Sequence, residues 1–154
     1  MVNPTTVERE SMTVVGLQTH YEGDESVFSE LWAEFGERWD EFDGLAATDE
    51  AFGVVTDFDE DTTAFDYLAG VATTDVEAVP DDYVVVDVPG GQYSVFETTL
   101  GSFEADYDEV REEWLGESGF ERRPGPEFER YGPAFDPEEP DSPYEYFLPV
   151  VAPT

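Results

Sequence analysis

Two stretches, one near the middle of the chain and one near its end, repeat the same order of residue types. Phe65-Asp66-Tyr67-Leu68-Ala69-Gly70-Val71 and Tyr144-Glu145-Tyr146-Phe147-Leu148-Pro149-Val150 each run aromatic, acid, aromatic, then reach Val just after a Gly or Pro. Aromatic and branched residues bounded by turn formers read as strands. The elements before them repeat as well. Met12 to Tyr21 reads as a strand, and Phe28, Leu31, Trp32, Phe35, Trp39 and Phe42 then recur at helical spacing behind an Asp24 or Ser26 cap. Gly44 suits the position past that helix, and Phe52 to Thr56 and Ala64 to Ala72 read as strands. In the second half, strands over Tyr83 to Val88 and Gln92 to Thr98 flank Pro89-Gly90-Gly91. Ser102 stands before a helix whose apolar face is Phe103, Tyr107, Val110 and Trp114, ending near Gly116 or Gly119, and Glu127 to Tyr131 reads as a strand. Residues 1–11 read as a polar lead-in, Thr73 to Pro80 as a linker, and Gly132 to Pro143 as a Pro-rich acidic loop.

Strand–helix–strand–strand, run twice with an extra hairpin between, implies an α+β fold. Two helices lie on one face of an antiparallel sheet, with pseudo-repeats over about 12–73 and 81–151 of a single domain spanning 12–154. A cleft between the halves is the expected ligand site.

In the closing strand Glu145 points the same way as Phe147 and opposite to Tyr144 and Tyr146. On residues alone two readings stand. Glu145 is either a solvated acid of an edge strand or, on a buried face, a charge that needs a cationic partner or a proton.

The 154 residues carry 39 acidic side chains against 6 basic ones, a net charge of −33, and every basic residue is Arg. Such self-repulsion opposes compaction until salt screens it, which points to a salt-accumulating halophile and makes most carboxylates solvent adaptation. With no basic patch, direct nucleic-acid binding is not expected. The absence of Cys removes disulfides, thiolate metal sites and Cys nucleophiles. No apolar run is long enough to span a membrane and no signal-peptide core is present, so a cytoplasmic protein without membrane association is expected. Asp57-Phe58-Asp59-Glu60-Asp61 invites a calcium reading, but Thr62 stands where the EF-hand loop needs Gly and Leu68 where it needs Glu. No metal and no cofactor are expected; a haem reading would rest on His20, the lone histidine.

Five segments together resemble a known family. Phe65 to Val71 is similar to its "YxxGV" strand and Val88-Pro89-Gly90-Gly91-Gln92-Tyr93-Ser94-Val95-Phe96 to its "iPaGxYavf" hairpin. Trp114-Leu115 before Ser118-Gly119-Phe120, Phe128-Glu129-Arg130-Tyr131, and Glu145 to Val150 are similar to "Wl…sgy", "fExY" and "ExyiPv". The family is the GyrI-like small-molecule binding domain, also the effector-binding domain of AraC- and MerR-type multidrug regulators. The resemblance runs from about Met12 to Val151 and implies an aromatic cleft, with a carboxylate near its floor that meets lipophilic cations. It carries that carboxylate onto Glu145. Tyr67, Tyr93, Trp114, Tyr131 and Phe147 lie in or beside matching motifs, and Trp32 and Trp39 are candidate wall residues. No helix-turn-helix precedes residue 12, so the domain is expected to stand alone and to reach transcription through a partner.

The expected function is therefore a binding module for amphipathic, cationic aromatic compounds, acting in transcriptional regulation or drug sensing. Two alternatives stand beside it. One is a hydrolase of reactive lipophilic electrophiles with Glu145 as general acid or base. The other is a modulator of gyrase or another protein partner through its surface.

Overall fold

The computed structural model describes residues 4–24, 26–43, 50–56, 59, 61–62, 64–74, 79, 81, 83–99, 101–123, 125–132, 139 and 141–152. Gly44 and three residues of the acidic turn, Asp57, Phe58 and Glu60, lie outside them, as does most of the Thr73 to Pro80 linker. The fold is α+β and largely antiparallel. Its strands are β1 (Thr5–Arg9), β2 (Met12–Tyr21), β3 (Ala51–Thr56), β4 (Phe65–Thr73), β5 (Val84–Val88), β6 (Gly91–Thr99), β7 (Glu121–Arg122), β8 (Glu127–Tyr131) and β9 (Pro143–Val151). They pair in the order β1-β6-β9-β8-β3-β4-β2-β5, with β7 beside β9.

This order is itself two-fold. In the first half β4 lies between β2 and β3, in the second β9 lies between β6 and β8, and the halves join where β3 meets β8. Each half also lends a strand to the other: β5 pairs with β2, and β1 pairs with β6. The sequence reading left β1 in a polar lead-in because Val7 is the only apolar side chain in Thr5–Arg9. The structure makes it the counterpart of β5.

The apolar stripe of α1 (Ser26–Glu37) packs Leu31 and Phe35 onto Val15, Tyr67, Ala69 and Val71, with Phe42 of α2 (Trp39–Asp43) in the same cluster. Asp24 accepts the Ser26 backbone N–H at 3.0 Å, as a cap should. On the same face of the sheet, α3 (Phe103–Glu109) continues through a π-helical turn at Val110–Trp114 into α4 (Leu115–Ser118). This helical run buries Val110 with Phe96, Tyr146, Leu148 and Val150 and stops at Gly119, whose φ is 81°. Ser102 stands at its N-cap position, but its hydroxyl bonds Asp106 and Thr99 rather than capping the helix.

Among the described residues no helix lies on the opposite face, yet its residues are buried. Val14, Phe52 and Leu68 of the first half form a single cluster with Val88, Tyr93, Val95, Phe128 and Phe147 of the second, so the sheet curls around its own side chains. Gly16 and Gly70, directly paired across β2 and β4, allow that curl. A Cβ at Gly16 would stand 1.9 Å from the Ala69 carbonyl oxygen, and one at Gly70 2.2 Å from that of Val15. Neither obstacle is a side chain that could swing aside. Gly16→Ala is expected to destabilise the fold by about 3 kcal/mol, read as a lowered urea midpoint at constant high salt.

Candidate ligand site

Along β8, alternation sends Glu127, Glu129 and Tyr131 toward the helices and Phe128 and Arg130 to the curled face. Glu129 sits at the middle of the sheet, opposite Gly53 on β3 and Tyr146 on β9. Gly53 is a necessity there, since a Cβ would lie 2.1 Å from the Tyr67 hydroxyl and 2.5 Å from Glu129 Oε1. Through that gap the Tyr67 hydroxyl reaches across and donates to Glu129 at 2.5 Å. Tyr131 donates a second hydrogen bond, and Trp32 Nε1 of α1 donates to the Tyr67 oxygen at 3.1 Å. Rings close round the carboxylate: Trp32 meets Tyr131 edge-on at 5.3 Å, and Tyr131 lies 4.8 Å from Tyr144.

Glu129 is half-buried, packed round by protein while part of its surface stays accessible. Among the described residues, which include all six arginines and His20, none makes an ion pair with it. Burial raises its carboxyl above the usual carboxylate range, and the bonds from Tyr67 and Tyr131 only partly oppose that. The same burial, with the Glu129 charge beside them, raises the Tyr67 and Tyr131 hydroxyls well above the usual phenol range. The nest can thus stabilise a positive charge against aromatic faces, or hold a proton.

Glu145 is placed elsewhere. It lies on the curled-face side of β9, its side chain is 37% exposed, and Arg130 pairs with it. Arg130 also reaches Glu50 at 3.3 Å. Around them lies an open depression of ≈ 210 Å³ lined by Glu50, Glu97, Arg130, Gly132, Pro143, Tyr144 and Glu145. Its carboxylates already hold a guanidinium, and its wall is largely polar.

Of the other candidates, Tyr67, Tyr131 and Trp32 meet at Glu129. Tyr93 and Phe147 belong to the cluster on the opposite face, where Tyr93 donates to the Pro89 carbonyl at 2.6 Å and Phe147 stacks on Phe128 at 4.4 Å. Trp114, the last residue of the π turn, stacks on Phe120, and Trp39 is exposed at the start of α2. His20 bonds Asp66 and Glu22 at an exposed strand end. Glu129 lies within the "fExY" segment, on one strand face with Tyr131, while the Gly53 pairing that opens the space beside it joins distant segments.

Residues 5–150 match the integron-associated effector binding protein family, Cass2. The transcriptional regulator BrlR of Pseudomonas aeruginosa is 26% identical over 147 residues, covering 94% of this chain and 54% of its own. The chain thus spans about half the length of that regulator. Among solved structures, SAV2435 bound to tetraphenylphosphonium superposes with a TM-score of 0.71 at 17% identity, over 97% of this chain and 94% of that one. The EcmrR C-terminal domain superposes with a TM-score of 0.74 at 16% identity, over 99% of each chain.

The raised Glu129 carboxyl has a consequence for stability. A carboxyl that binds its proton more tightly when folded contributes stability that is fully present below the unfolded value and lost as pH rises through the folded one. Glu129→Gln is therefore expected to melt higher than the wild type near neutral pH, with the margin closing toward about pH 4; a margin independent of pH would contradict this assignment. The match across nearly the whole length leads to one conclusion: the chain belongs to the integron-associated effector binding protein family.

Proposed function

We propose that this protein binds lipophilic aromatic cations between α1 and α3, with Glu129 as their counter-charge. The observation that carries the reading is a half-buried carboxylate held by two tyrosine hydroxyls and, among the described residues, by no arginine or histidine. A cation entering the nest would meet that charge and the faces of Trp32, Tyr131 and Tyr144, each good face contributing about 0.5–2 kcal/mol. A few such contacts with apolar burial are enough for micromolar affinity, about −8 kcal/mol. The tetraphenylphosphonium bound by SAV2435 gives the chemistry a precedent in a relative of this fold. The kinship with BrlR and EcmrR supports a role in transcriptional regulation or drug sensing.

Isothermal titration with tetraphenylphosphonium in high salt tests the assignment. Glu129→Gln is expected to weaken binding by about tenfold or more, with Glu145→Gln within about threefold of wild type. The reverse order of the two variants would move the site to the Arg130 depression.

A second reading draws on the same contacts. A carboxyl with a raised proton affinity beside a phenol and an indole suits acid–base catalysis of the hydrolysis of a strained lipophilic electrophile, giving its proton to the ring oxygen of an epoxide as water adds to carbon and loses a proton in turn. Consumption of an aromatic epoxide by the wild type and not by Glu129→Gln would establish turnover; equal background rates would leave binding alone.

A further inference from the structure

β8 offers the helix-facing side of the sheet two carboxylates, and they are treated differently. Glu127, 6% exposed, accepts hydrogen bonds from Tyr107 at 2.8 Å and from Tyr146. Here too a carboxylate rests on two tyrosine hydroxyls, and Tyr146 is the two-fold counterpart of Tyr67. What differs is the cation. Arg122 Nε donates to Glu127 at 2.8 Å, while the rest of its guanidinium bonds the Arg123 and Gly125 carbonyls, the latter at 3.1 Å. Arg122 is thus fixed over Glu127 as an internal occupant, and the adjoining nest at Glu129 is the one without such a cation. Two positions along a strand place the carboxylate attachment points about 6.6–6.8 Å apart, the spacing of the two charges in a flat, two-ring dication.

We propose that Arg122 sets the charge the cleft accepts: by neutralising Glu127 it leaves one open carboxylate on β8, and the site selects singly charged aromatic cations over doubly charged ones. This rests on the reading of Glu129 as the ligand's counter-charge. Within protein, a second unit charge of the ligand would lie near a fixed guanidinium and be repelled, since charges at such separations interact far more strongly there than in water. Specificity of this kind comes from a repulsive element as much as an attractive one.

The test uses N-methyl-4-phenylpyridinium and N,N′-dimethyl-4,4′-bipyridinium, which share a flat two-ring shape and differ by one charge, titrated calorimetrically at one fixed high salt concentration. The wild type is expected to prefer the monocation. In Arg122→Met the ratio of dication to monocation affinity is expected to rise by about tenfold or more, and in Arg122→Met with Glu127→Gln to fall back toward the wild-type ratio. A folded Arg122→Met whose ratio stays within about threefold of wild type overturns the proposal. Loss of the Glu129 reading gives a different pattern, with monocation affinity the same in wild type and Glu129→Gln. Should Arg122→Met fail to fold, Glu127→Gln decides: Arg122 would then stand uncompensated, monocation affinity is expected to fall about tenfold, and unchanged affinity overturns the proposal.

Discussion

A carboxylate taken out of water must find a cation, hydrogen-bond donors or a proton, and this chain has very few cations to give. It has 39 acidic residues, six arginines and no lysine. Two arginines are committed at the sheet: Arg122 serves Glu127, and Arg130 serves Glu145 and Glu50. Glu129 is left to hydroxyl donors. Much of the helix-facing surface follows from that allocation. Tyrosines stand where smaller apolar residues would otherwise fill the core, and the Trp32 indole N–H supports the Tyr67 oxygen that donates to the carboxylate.

The two-fold order of the strands makes the site's one-sidedness visible. β3 and β8 are equivalent strands that pair at the centre, yet β3 contributes Gly53 and Val55 where β8 contributes Glu127 and Glu129. Gly53 supplies no side chain, and that vacancy is filled by the ring and hydroxyl from β4. The equivalent tyrosines Tyr67 and Tyr146 serve different acids of one strand. Duplication built the walls symmetrically, while the charge came from one copy only.

The fold was legible because apolar periodicity is dense here. The α1 stripe, the Gln92–Thr98 strand and the repeated closing strands could each be read directly, and so could the element order. β1 was not, since a short edge strand with a single apolar residue carries almost no periodic signal. The π turn was hidden because Phe103, Tyr107, Val110 and Trp114 are spaced as an ordinary helix would space them. The candidate arrangement around Glu129 was legible only in part. Tyr67, Tyr131 and Trp32 were named from motifs and periodicity and do meet. Glu145 drew attention as the lone acid of an aromatic run, but that measures contrast along one strand. What distinguishes Glu129 is the absence of a side chain on the strand next to it, and pairing of Gly53 with Glu129 is a register between distant segments.

The three tryptophans occupy three different surroundings. Trp39 faces solvent, Trp114 lies flat against Phe120, and Trp32 alone is hydrogen-bonded into the Glu129 nest. An indole whose N–H is tied to Tyr67, one bond from a carboxylate, senses the field of whatever charge settles there. The molecule therefore carries an optical reporter of the charge state of Glu129, one indole tied into that hydrogen-bond chain and two in other surroundings.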